Sequence, residues 1–151
     1  MTRCQALLFA LCSLAAACGT TSDAAPAAPA TPQAASPQAL QQQCVATMTR
    51  SRACTDQYVP ALVDARARLD RPSGIATAVQ SDRDGVIAQA RAEWVKDSTD
   101  EVIAERCQAI VAHLTPEAQA DVSRTQRCVA QAECGAFVAC VMPIIEQHLA
   151  H

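Results

Sequence analysis

The chain has 151 residues, half of them apolar, 3% aromatic and 18% charged, with a formal net charge of −3. That length suits one domain with short extensions, while the slight acidity and scarcity of rings leave no footprint or stacking platform for nucleic acid beyond the small cluster Arg66-Ala-Arg68 and Arg71. Eleven arginines to a single lysine, among abundant alanine, fit a GC-rich genome better than a binding surface.

Residues 1–17 open with Arg3, pass through an apolar run from Ala6 to Leu14, and close on Ala15, Ala16 and Ala17 directly before Cys18. A basic start, a short apolar centre and a small-residue end mark an export signal. The arrangement resembles the signal peptide and lipobox of a bacterial lipoprotein, with Ala15 standing where leucine is usual and Leu14 one place earlier. The resemblance implies lipidation: Cys18 receives a diacylglycerol on its thiol, the leader is removed, and the new amino terminus is acylated, with palmitate among such chains. Gly19 follows the cysteine, where aspartate would signal inner-membrane retention; by the same resemblance this favours the periplasmic side of the outer membrane. Ala15-x-Ala17 is also an acceptable A-x-A cleavage site, which would give an ordinary secreted or soluble periplasmic protein. A retained anchor fits less well, because about a dozen apolar residues fall short of the roughly 20 that span a bilayer.

Cysteine parity favours lipidation. Of nine cysteines, Cys4 and Cys12 leave with the leader, and a lipidated Cys18 leaves six: Cys44, Cys54, Cys107, Cys128, Cys134 and Cys140. An even set in an exported chain reads as a disulfide framework, because the periplasm is oxidising. The ordinary secretory alternative would leave seven, one of them an odd thiol at the tip.

Residues 18–43 read as the lipidated cysteine and a linker. From Gly19 to Pro37 there are four prolines and no large apolar side chain, too little to bury for folding. The predicted tether is disordered and Pro/Ala-rich; at about 3 Å per residue it would reach roughly 50 Å from a membrane.

Residues 44–151 form the cysteine-containing domain, with its first helix opening at Ser36-Pro37 in the end of the linker. Alanine dominates, glycine is confined to Gly74, Gly85 and Gly135, and no stretch alternates branched and polar residues, so the domain is predicted all-α. Ser36-Pro37 and Thr115-Pro116-Glu117 each place a capping residue before an N1 proline. Leu40, Cys44, Met48, Ser51 and Cys54 fall on one arc of the first helix, and Val59, Leu62 and Leu69 mark a second segment. Asp70 to Gly74 reads as a break, Ser81-Asp82 as a new start, and Ile87, Ala90 and Trp94 as a third apolar segment. Ser98 with Glu101 offers a capping box, followed by the stripe Ile103, Cys107, Ile110, Val111 and Leu114. Ala118, Val122, Thr125, Val129 and Ala132 repeat the rhythm after Pro116. A break near Glu133-Cys134-Gly135 precedes Phe137, Val141, Ile144 and Ile145, with Pro143 bending or restarting the last helix. The expectation is a small disulfide-stapled bundle of four to five helices.

Six cysteines allow fifteen pairings. Cys44 and Cys54 stand about 15 Å apart along a helix, Cys128 and Cys140 about 18 Å. An antiparallel pairing of first and last helices, Cys44 to Cys140 and Cys54 to Cys128, nearly matches in rise and leaves Cys107 for Cys134. The Cys44-x9-Cys54 spacing is shared with twin cysteine-x9-cysteine hairpins, but eleven residues separate Cys128 from Cys140 and that match fails. The segment from Cys134 to Cys140 is similar to segments of small bacterial lipoproteins, a resemblance that carries no activity.

Chemical motifs are sparse. No Cys-x-x-Cys, G-x-S-x-G, HExxH or phosphate-binding glycine loop occurs, and neither a catalytic residue, a cofactor nor a metal is assigned. His148 and His151, at i and i+3, are the nearest approach to a metal pair and read as solvated residues at a fraying end. His113 lies off the apolar face of its helix. Glu101 with Glu105, and Asp64 with Arg68, read as helix-surface charges. The expected function is that of a lipid-anchored envelope protein, held to membrane lipid through Cys18. It would act as a non-enzymatic interaction or structural module toward an envelope protein or the cell wall. The alternative is a carrier for a small apolar ligand in an inter-helix cavity.

Overall fold

The computed structural model describes residues 35–150; the leader, Cys18, the linker to residue 34 and His151 lie outside them. The described residues form six helices, α1 Pro37–Ala53, α2 Thr55–Leu69, α3 Ile75–Asp97, α4 Asp100–Ala112, α5 Pro116–Val129 and α6 Cys134–Leu149. The all-α class is as expected, with six helices against an expected four to five, each of the apolar segments marked in the sequence standing as its own helix, and α1 and α2 part at Cys54 without a glycine or proline. Helix α1 opens at Pro37, behind Ser36, as the capping pattern predicts, so it begins within the stretch 18–43 counted as linker.

Caps set most boundaries. Ser36 Oγ accepts from the Ala39 amide and Thr115 Oγ1 from the Ala118 amide, each ahead of its N1 proline. The α4 cap is a correction: Thr99, not Ser98, accepts from the Val102 amide. Ser98 is buried and donates instead to the Trp94 carbonyl at 2.6 Å, closing the last turn of α3. At the Asp70–Gly74 break, Asp70 (φ 47°) and Gly74 (φ 91°) both turn left-handed. Asp70 Oδ1 accepts from the Gly74 and Ala76 amides there. The expected start at Ser81-Asp82 is a kink inside α3, where Asp82 leaves helical geometry and its Oδ1 accepts from the Gly85 amide at 2.9 Å. Pro143 lies within a continuous α6.

Side-chain pairs give the helix directions. Arg83 to Asp64 and Trp94 to Thr55 set α3 antiparallel to α2. Arg68 to Glu146 and Cys54 to Cys134 set α6 parallel to α2. Thr47 to Thr125 and Arg50 to Gln131 set α5 parallel to α1, while Cys44 to Cys107 and Arg52 to Asp100 set α4 antiparallel to it. Helix α5 runs antiparallel to α6, through Cys128 to Cys140 and Asp121 to His148. The chain must therefore turn sharply at Cys54, with α4 and α5 packed on α1 and α3 and α6 packed on α2.

The apolar core lies around α2 and α6: Tyr58, Val59, Val63, Phe137, Val138, Val141 and Met142 are buried, with Ile87 of α3 and Cys128 of α5. Around α1 and α4 it is thin, essentially Leu40, Ile103 and Cys107. Of the long stripe expected along α4, Ile103 and Cys107 are fully buried, Val111 and Leu114 half-buried and Ile110 41% exposed, α4 packing chiefly against α1. Leu69, expected to be apolar and inward, is exposed at the end of α2.

Candidate functional site

The six cysteines close three bridges, Cys44–Cys107, Cys54–Cys134 and Cys128–Cys140, with Cα separations of 5.7, 5.3 and 5.4 Å. None is a pair that matched helical rise would choose. That matching packed α1 directly against α6, whereas α1 lies between α4 and α5 and α6 packs against α2 and α5. The break at Glu133-Cys134-Gly135 lets α5 and α6 fold into a hairpin, so Cys128 and Cys140 face each other across it.

The turn at Cys54 is held from all sides by polar groups at the end of α1. Arg50 donates to the Gln131 and Ala132 carbonyls beyond the end of α5, with its guanidinium carbon 5.8 Å from the centre of the Phe137 ring. Arg52 donates to the Ser98 carbonyl at 2.7 Å and to Asp100 at 2.6 Å, tying down the α3–α4 junction. Thr55 accepts from the Trp94 indole at 3.1 Å and donates to the Arg52 carbonyl. Tyr58 stacks at a tilt on Trp94 with centroids 5.3 Å apart, and burial pushes its hydroxyl pKa up despite a hydrogen bond with Ser51. Basic side chains on orphan helix carbonyls are electrostatically favoured. No sequence motif announces this hub, since its long-range hydrogen bonds span 39 to 82 residues.

The parallel contact of α2 and α6 leaves an open groove of about 370 Å³. Ala61, Gly135 and Ala139 line it, with Val138 and Met142 supplying apolar surface. The small residues keep it open: a Cβ on Gly135 would stand 3.3 Å from Gln57 Oε1. Its charged edge is already paired. Arg68 meets Glu146, and Arg83 grips Asp64 with two bonds, Nε to Oδ1 at 2.9 Å and Nη2 to Oδ2 at 2.7 Å. Asp64 and Arg68 thus pair across helices rather than with each other. The Arg83 hydrogen bonds hold the Asp64 carboxyl below its usual range, so it is a poor proton acceptor at neutral pH. An apolar stripe framed by neutralised charges suits contact with another surface.

Of the other singled-out residues, His113 is the exposed C-cap of α4 and Glu101 and Glu105 are exposed on the same helix. His148 Nε2 lies 2.7 Å from Asp121 Oδ2, and Arg124 also pairs with Asp121. Hydrogen bonding from Arg124 is the main cause of the lowered Asp121 pKa. This cluster joins α5 to the end of α6 and was invisible in sequence, because Asp121 and His148 meet only across the hairpin. Among the described residues no group of three or more His, Cys, Asp or Glu is placed to hold a metal, and no helix is long and apolar enough to cross a membrane.

Fold and bridges together define a disulfide-stapled all-α domain. No protein-family model matches the chain, and no curated protein or solved structure is significantly similar to it.

Proposed function

We propose that the protein is a lipid-anchored envelope protein, attached through Cys18, whose stapled helical domain is a non-enzymatic interaction or structural module. One observation carries most of the weight: the six cysteines downstream of Cys18 pair entirely among themselves, leaving none of them as a partner for the Cys18 thiol. Such bridges persist in an oxidising compartment, which agrees with the export signal read in residues 1–17. The α2–α6 groove supports the contact role, since it offers apolar surface and small side chains with its charges already satisfied.

Intact mass spectrometry of the membrane fraction, before and after reduction, tests the anchor. The expected species begins at an acylated, diacylglyceryl Cys18 and gains two hydrogens per bridge on reduction. An unmodified amino terminus at Cys18, or a mature chain with a different start, sinks the anchoring proposal. For the contact role, a photo-activatable side chain at Ala139 should cross-link to a discrete envelope component in intact cells. A side chain at the exposed Ala88 of α3 should not, and equal labelling from both positions counts against the groove.

A further inference from the structure

A second concavity lies between α2 and the end of α3, with one residue of α4 at its rim. Its volume is about 140 Å³ and its apolar lining is Val59, Leu62, Val63, Ala90 and Trp94. That is roughly the share of four or five waters in liquid, at about 30 Å³ each, room for one branched side-chain-sized group and well short of a drug-sized site of roughly 300 Å³ or more. The Trp94 wall is fixed in advance, because its indole donates to Thr55 and its ring leans on buried Tyr58. A wall already immobilised loses little further freedom when a ligand arrives.

The rim carries four charges, Arg66, Glu93, Asp97 and Arg106, and they are not equivalent. Asp97 faces Arg106 at 3.8 Å, and Glu93 accepts from the Gln89 amide at 3.0 Å. Arg66, in the last turn of α2, makes no ion pair among the described residues. The cavity therefore combines a partly branched apolar lining with one guanidinium free of ion pairs, a donor set that matches a carboxylate, beside Glu93, whose charge the neutral Gln89 amide does not cancel.

We propose that this cavity is a binding site for a small branched carboxylate, its apolar body among Leu62, Val63, Ala90 and Trp94 and its carboxylate against Arg66. The site goes beyond the anchoring and contact roles and does not depend on lipidation of Cys18.

Trp94 is the single tryptophan of the chain, so its emission reports on the cavity alone. The test titrates 4-methylpentanoate, and separately its neutral amide, into the full chain with disulfides intact, at concentrations reaching tens of millimolar as suits so small a ligand. The acid should give a saturable change in Trp94 emission at least tenfold tighter than the amide. Arg66→Gln should bring the acid down to the amide's level, and Ala90→Leu, which fills the cavity, should remove the response to both with unchanged helical circular dichroism. Should Ala90→Leu fail to fold, the Arg66→Gln titration decides alone, because that side chain is exposed. No saturable change, equal responses to acid and amide, or an acid response that survives Arg66→Gln overturns the proposal.

Discussion

Single side chains at the end of α1 hold distant parts of the chain. Arg50 spans two backbone carbonyls beyond α5, which a guanidinium fork can do and an ammonium cannot match in geometry. Replacing Arg50 by Met should cost about 1.5–3 kcal/mol, the range for hydrogen bonds to a charged group, and Lys should restore only part of it; urea midpoints measure both. Asp64 makes a pH prediction. Its folded-state pKa is lowered by Arg83, so its stabilising contribution is complete above the unfolded value of about 3.9 and disappears as pH falls through the lower folded value. The difference in urea midpoint between the protein and Asp64→Asn should be present at pH 7 and shrink as the pH falls below the unfolded value and through the lowered folded one; a difference that stays constant with pH contradicts the role given to Arg83. Little of this was legible in sequence. Asp64 and Arg68 were recognised as surface charges, but i,i+4 spacing names only neighbours on one helix, and both residues find better partners on others.

At the scale of the element, helix starts were legible and helix ends less so. Ser36-Pro37 and Thr115-Pro116 worked because a cap and an N1 proline act locally, needing nothing from the rest of the fold. Ser98 failed as a cap because burial beneath Trp94 took its hydroxyl for the α3 carbonyl, leaving Thr99 to start α4. The α3 kink is a sharper case. Asp82 caps the Gly85 amide so closely that a Cβ at position 85 would stand 2.1 Å from Asp82 Oδ2. Alanine there gains about 1 kcal/mol of helix propensity but displaces a cap worth about 1 kcal/mol. Gly85→Ala should thus be close to neutral alone, yet stabilise by about 1 kcal/mol when Asp82 is already Ala. A thermal-unfolding double-mutant cycle measures the coupling, and strict additivity would show that the carboxylate is not the obstacle.

At the scale of the whole molecule, two bridges, Cys54–Cys134 and Cys128–Cys140, lie in or against the main core, and the third stands where the core is thin. Phe137 is fully buried between the halves, and Phe137→Ala should cost about 3–5 kcal/mol. The α1–α4 contact buries little beyond Leu40 and Ile103, and Cys44–Cys107 joins it across 63 residues of chain. Loop-closure entropy assigns such a bridge about 4 kcal/mol, against about 3 kcal/mol for the 12-residue Cys128–Cys140 loop. Replacing Cys44 and Cys107 by alanine should release α4 first: its amides lose hydrogen-exchange protection while α2 and α6 keep theirs. Uniform loss across all helices would show instead that α4 belongs to one cooperative unit with the core. The sequence by itself determined the helical class, the principal starts and breaks, and an even set of six cysteines, because composition, capping and periodicity are properties of neighbouring residues. The tertiary structure decided which cysteines pair, which charges meet, where the α2–α6 groove opens and that Trp94 lines a cavity. Those depend on the sharp turn at Cys54, which places α2 beside α6 and α1 between α4 and α5, and no local pattern encodes the direction of that turn.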